Sequence, residues 1–160
     1  MKRSDAYNKA LDYATRKHAG QFRKEGIPYI THPIAVAEIL KEQGFSEEYL
    51  IAGLFHDLLE DTDATEEEIL ALGGKDVLEA VKLLTKTEGY VMSEYIQNIK
   101  ANPIAFKVKA ADRLHNLRCA VYADEKFRRK YIKESFEWYT DFDTAIPVAI
   151  AALEKTLTND

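Results

Sequence analysis

Residues 50–59 read L-I-A-G-L-F-H-D-L-L, and the only strongly polar residues in the stretch are the adjacent His56 and Asp57. At 100° per residue, Ile51, Phe55 and Leu59 share one face, while Leu50, Leu54 and Leu58 lie on the side of Asp57. A helix apolar around most of its circumference is a buried one. This segment is therefore expected at the centre of a helical protein, running from Ser46 through Leu59, with Glu47 and Glu48 favourable in its first turn. His56 and Glu60 fall on one edge of it, one turn apart, and Asp57 and Asp61 fall on the neighbouring edge.

Working outward, the pattern stays helical. Apolar positions at Ala6, Ala10, Tyr13 and Ala14 predict a helix over residues 5–19, stopped by Gly20. Residues 20–31 carry Gly26 and Pro28 and read as a loop. Pro33 suits the first position of a helix reaching about Gln43. Thr65 with Glu68 is a capping-box pattern opening a short helix that stops at residues 73–74. Further helices are expected over 75–85, 93–100, 102–122 and 124–139, with a last one starting at Pro147. No stretch alternates with period two long enough for a strand. The expected architecture is all-α: one domain over residues 1–160, a bundle of about eight to ten helices.

Composition narrows the function. Apolar runs are too short to span a bilayer, and the basic start Met1-Lys2-Arg3 has no apolar stretch after it, so no secretory signal is read. The single cysteine, Cys119, excludes an internal disulfide and a multi-cysteine zinc site. These features make a cytoplasmic protein the default. The net charge of −5 argues against a nucleic-acid partner. It leaves room for a small anionic substrate held by local cations.

A buried carboxylate beside an imidazole costs several kcal/mol unless it is paired or binds a metal. A structural His–Asp pair satisfied by its neighbours is the plain alternative. Two more residues favour the metal. His32 stands at a loop-to-helix turn before Pro33, and Asp112 lies in the apolar setting A-A-D-R-L. Two imidazoles and two carboxylates make a mixed nitrogen and oxygen set suited to Mn²⁺, Fe²⁺, Zn²⁺, Co²⁺ or Ni²⁺. Lys109, Asp112 and Asn116 share a helix face, which makes Lys109 a better phosphate ligand than Lys107. Carboxylates at Glu60 and Asp61 are unfavourable to a helix C-terminus, which favours a site role over a solvated end. His115, at the margin of the Asp112 face, is expected to support a ligand or to donate to a backbone carbonyl. His18 reads as a surface or cationic residue at a helix end. Phe127, Tyr131, Phe136, Trp138 and Tyr139 read as core or interface.

The order His32, His56-Asp57, Asp112 resembles the HD superfamily of metal-dependent phosphohydrolases. The flanks narrow the resemblance. Residues 20–33, G-Q-F-R-K-E-G-I-P-Y-I-T-H-P, residues 56–62, H-D-L-L-E-D-T, and residues 109–118, K-A-A-D-R-L-H-N-L-R, resemble the three signature blocks of RelA/SpoT-type (p)ppGpp hydrolase domains. The resemblance covers about residues 5 to 122. It implies that His32, His56, Asp57 and Asp112 hold one divalent metal ion, usually Mn²⁺. It implies that Glu60 and Asp61 position or activate water, that Arg23 and Lys24 bracket a guanine base, and that Asn116 contacts the ribose or its phosphate. The expected reaction is hydrolysis of the 3′-pyrophosphate of (p)ppGpp to GDP or GTP and pyrophosphate. With no room for a synthetase domain, the chain is expected to be a stand-alone small alarmone hydrolase whose partner is a nucleotide; a homo-oligomer stays open. Cys119, where the family often has threonine, and the divergent segment 87–103 bear on base specificity. The alternatives are a phosphohydrolase for another nucleotide, such as a nucleoside phosphate or NADPH, and a non-catalytic nucleotide-binding regulator.

Overall fold

The computed structural model describes residues 4–158, so the basic start read at Met1-Lys2-Arg3 lies outside the described residues. Among the described residues ten α-helices follow one another: α1 (Asp5–Lys17), α2 (Thr31–Glu42), α3 (Glu47–Phe55), α4 (Leu58–Asp61), α5 (Glu66–Gly73), α6 (Lys75–Leu84), α7 (Met92–Lys100), α8 (Pro103–Cys119), α9 (Glu125–Trp138) and α10 (Ala145–Glu154). A 3₁₀ turn at Ala120–Tyr122 joins α8 to α9. The described residues contain no strand beyond one isolated bridge, Phe22 to Pro28, which closes the loop between α1 and α2. None of these helices is long and apolar enough to cross a membrane.

The local signals work as chemistry predicts. The Ser4 side chain accepts from the Tyr7 N–H at the start of α1. Thr65 and Glu68 complete a reciprocal capping box on α5. Asn102 caps α8 with Pro103 in its first turn, and Asp124 caps α9. Two helices begin two residues before their proline. Pro33 and Pro147 occupy third positions, where the missing N–H has no partner within the helix to lose.

The helix expected over residues 46–59 is broken. α3 ends at Phe55, Asp57 is non-helical at φ −117° and ψ 7°, and α4 starts at Leu58. The His56 ring supplies the reason, because Nδ1 donates to the Gly53 carbonyl at 2.7 Å. A continuing helix would offer that carbonyl to the Asp57 N–H. The α8 helix likewise stops at Cys119 rather than continuing to Tyr122.

The broken element still occupies the centre. α3 packs on α1, α2, α6 and α8, and α10 closes over α8 and α9. Leu54, Phe55 and Leu58 are fully buried. Of the aromatic residues expected in the core, only Tyr139 is fully buried; Phe127, Tyr131 and Trp138 are half-buried and Phe136 is exposed. The buried Arg113 explains part of this. Its guanidinium lies 4.3 Å and 4.1 Å from the ring centres of Tyr131 and Tyr139 and bonds Ser135 and Glu134, fastening α9 to α8 through a charge.

α2 and α3 approach closely at Gly53, where an added Cβ would lie 3.2 Å from Leu40 Cδ1 and 3.3 Å from Val36 Cγ1. Gly53→Val is expected to cost about 1–3 kcal/mol by overpacking, measured by urea denaturation. It also moves α2, which carries His32.

Candidate metal centre

Three pieces of backbone bring the polar cluster together. The first turn of α2 carries His32, the break between α3 and α4 carries His56 and Asp57, and the middle of α8 carries Asp112. All four residues are buried, none more than 7% exposed. Ligand atoms of His32, His56 and Asp57 lie within 4.8 Å of one another. Asp112 joins through the imidazoles: its Oδ1 is 2.8 Å from His32 Nε2 and 3.2 Å from His56 Nε2. The four residues singled out in the sequence therefore converge.

The outer faces of the rings are occupied, which leaves the inner faces for a cation. His56 Nδ1 carries its proton toward Gly53, so the neutral ring has its lone pair on Nε2. His32 Nδ1 lies 2.7 Å from His115 Nδ1. His32 Nε2 donates to Asp112 Oδ1 when no cation is bound; with a cation there, the ring would carry its proton on Nδ1 toward His115, which directs Nε2 at Cys119 Sγ, 3.4 Å away. This is the support expected of His115. Two imidazole nitrogens and two carboxylates form a donor set that fits a divalent transition ion.

Charge within the cluster is balanced by pairing. Lys109 Nζ sits 3.2 Å from Asp112 Oδ2. Burial opposes the charge of each, but their mutual attraction raises the Lys109 pKa and holds Asp112 well below the ordinary carboxylate value. Burial also opposes protonation of His56, yet Asp57 and Asp112 push it up to about 9. His32 goes down, mainly by burial, and His115 falls to about 4 through burial and the charges of His32 and Arg23.

A second ring of groups grips Asp57. The Tyr29 hydroxyl donates to Asp57 Oδ2, and His18 Nε2 lies 3.3 Å from Oδ1. The sequence reading took His18 as a cationic residue at a helix end or a surface one; it does end α1 with a raised pKa, but at 2% exposed it is not at the surface. Its place was visible in the pattern: Tyr7, Ala10 and Ala14 form a buried stripe that continues to position 18.

Two cavities meet at Tyr29 and Asn116. One, of about 170 Å³, lies over the cluster and is walled by Glu60, Asp61, Lys86, Tyr95 and Lys109 as well as His56, Asp57 and Asp112. Glu60 Oε1 accepts from the Lys86 N–H, tying α4 to the loop after α6. Burial, then the neighbouring Asp57 and Glu60, raise the Asp61 pKa. The other cavity, of about 290 Å³, is flanked by Phe22, Arg23, Lys24, Cys119, Phe127 and Tyr131. Arg23 bonds Glu25 at 2.8 Å and Asn116 Oδ1 at 3.1 Å, while the Asn116 amide nitrogen donates to Asp112 Oδ1 at 3.2 Å. Lys24 Nζ rests 3.4 Å from the Phe127 ring centre. The sequence reading missed Lys86 and Tyr29 as wall residues. It read Phe127 and Tyr131 as core or interface; they pack on the edge of the core and also wall this cavity.

The protonation of this cluster sets a pH dependence. His56 is raised from 6.5 to about 9, and His18 is raised as well, its burial outweighed by the Asp57 and Gln21 hydrogen bonds. Both contributions are complete below pH 6.5 and are lost at higher pH, that of His56 as pH rises through about 9. The lowered His32 and His115 act only below 6.5. In chelator, the thermal midpoint is expected to fall from pH 6.5 to about 9, followed by circular dichroism. Added divalent metal, competing with the proton for His56 Nε2, is expected to lessen the fall.

Comparison with known proteins agrees with this geometry. A family described as HD domain matches residues 10–148. A curated relative from Aquifex aeolicus, named guanosine-3′,5′-bis(diphosphate) 3′-pyrophosphohydrolase, is 38% identical over 145 residues, covering 85% of this chain and 21% of that protein. A relative from Myxococcus xanthus, named GTP pyrophosphokinase, is 36% identical over 149 residues, covering 84% and 20%. The chain thus spans about a fifth of the length of these relatives. A solved structure described as a metazoan ortholog of SpoT that hydrolyzes ppGpp superposes with a TM-score of 0.78 at 27% identity, covering 97% of both chains. With the His and Asp signature residues gathered in one buried cluster, the chain belongs to the HD domain family, in its RelA/SpoT-type branch.

Proposed function

We propose that this chain hydrolyses the 3′-pyrophosphate of (p)ppGpp, releasing GDP or GTP and pyrophosphate, with one divalent ion held by His32, His56, Asp57 and Asp112. Mn²⁺ is the ion we expect. The observation that carries the reading is the pair of cavities sharing Tyr29 and Asn116. One is aromatic with two cations at its edge and suits a base. The other holds the His/Asp cluster and suits phosphates. A nucleotide bearing phosphate on its ribose spans the two, with the sugar over Asn116. The activities named for the Aquifex relative and the metazoan neighbour favour ppGpp among such nucleotides.

When bound, the ion supplies positive charge that offsets charge developing at phosphorus. The remaining work falls to the chain. Asp61, with a raised pKa and its carboxylate on the cavity wall, orients water and accepts its proton as the oxygen–phosphorus bond forms. The bond from phosphorus to the 3′ oxygen breaks, and that oxygen takes a proton from solvent to become the 3′ hydroxyl of GDP or GTP. Glu60 spends one oxygen on the Lys86 N–H, so its role is to hold the cavity wall. Lys109 is already paired with Asp112, which leaves Lys86 as the cation better placed to meet the departing pyrophosphate. Arg23 and Lys24 flank the base.

Purified protein loaded with Mn²⁺ is expected to convert ppGpp to GDP and pyrophosphate, read by anion-exchange chromatography. Asp61→Asn should lower kcat by about 10²–10⁴-fold with KM little changed. Glu60→Gln keeps an acceptor for Lys86 and should cost far less. Arg23→Ala should act on KM. Intact ppGpp alongside turnover of a different nucleotide in the same panel would redirect the assignment to that substrate.

A further inference from the structure

Asp57 is not held by its own helix. It lies at the break before α4, which is four residues long, and its side chain makes no capping bond there. Its orientation comes from elsewhere. The Gln21 amide nitrogen donates to the Asp61 backbone carbonyl at 2.9 Å. A carbonyl only accepts, so that bond fixes which way the amide faces and leaves Gln21 Oε1 to accept from His18 Nδ1 at 2.8 Å. The ring, also packed against Tyr29 with centres 4.8 Å apart, then aims Nε2 at Asp57 Oδ1. Both of those atoms are buried, 3.3 Å from each other, and neither has a hydrogen bond of ordinary geometry. Tyr29 takes the other oxygen of Asp57.

The result is a strut whose two ends lie on the same short segment. One end is the Asp57 carboxylate and the other is the backbone of Asp61, one turn along. We propose that His18 and Gln21 are positioning residues for the metal centre, setting the orientation of Asp57 and coupling it to the place of Asp61. The assignment rests on the metal-site reading given above but not on the identity of the nucleotide. Groups behind a metal ligand typically change metal affinity by about 10–100-fold when removed.

The test is a Mn²⁺ titration of the metal-free protein without nucleotide, followed by the electron paramagnetic resonance signal of free Mn²⁺. Gln21→Ala cuts the strut at its half-buried end and leaves the interior intact, so its thermal midpoint without metal should match wild type. Gln21→Ala and His18→Ala are expected to weaken Mn²⁺ binding about tenfold or more. His18→Gln, which restores a donor toward Asp57, should recover most of the loss. Folded alanine variants that bind Mn²⁺ within about twofold of wild type overturn the proposal. If His18→Ala does not fold, Gln21→Ala decides. Wild-type protein that binds no Mn²⁺ overturns the metal site itself, and the strut with it. Normal Mn²⁺ binding that weakens in the variants, in a protein inert toward ppGpp, sustains the strut while rejecting the substrate.

Discussion

The structure turns on the carboxylate of Asp112. It is buried on α8, and it reaches His32 on α2, His56 at the end of α3, Asn116 on its own helix and the ammonium of Lys109. A lone ionised carboxylate in such a place is prohibitively costly, so the helices that supply its partners have to meet there. This one requirement fixes how α2, α3 and α8 lie against one another more tightly than their apolar faces do. Apolar faces tolerate sliding and repacking. A buried carboxylate hydrogen-bonded to groups on three helices does not.

The break at His56-Asp57 follows from the same requirement. A straight helix would put His56 and Asp57 about 100° apart on its circumference, with their carboxylate and ring directed to different neighbours. By taking the Gly53 carbonyl, the His56 ring ends the helix and lets Asp57 turn into the same space. Gly53 then has two duties, since it also allows α2 to pass close by. Backbone geometry that departs from the regular helix is found where the chemistry is, and the cost is met by packing on every side of α3.

Around the cluster the polar contacts form two arms. Toward α1 and the first loop they run through Tyr29, His18 and Gln21 and hold Asp57. Toward the larger cavity they run through Asn116 to Arg23 and hold Asp112. The arms begin on residues only a few positions apart in the loop between α1 and α2. A short loop thereby links the proposed base pocket to the proposed metal pocket, which is a physical reason for it to carry so many polar residues.

Much of this was legible in the sequence. The all-helical class, the caps at Thr65, Asn102 and Asp124, and the four residues of the cluster rest on period, capping chemistry and the oddity of charge in apolar surroundings. Those are local properties, and a linear pattern carries them. The break at His56 was not legible, because it depends on a side chain competing for a carbonyl, which no periodicity records. The burial of His18 was half legible, as the next position of an apolar stripe, but its partner Asp57 is 39 positions away in the chain. Phe127 and Tyr131 looked like core because aromatic residues at helical spacing usually are. Only the packing of α9 on α8 through Arg113 decided that they line a cavity. Residue identity determined which groups needed partners; the tertiary structure alone decided which partners they found, because burial and pairing are properties of places that distant segments make together.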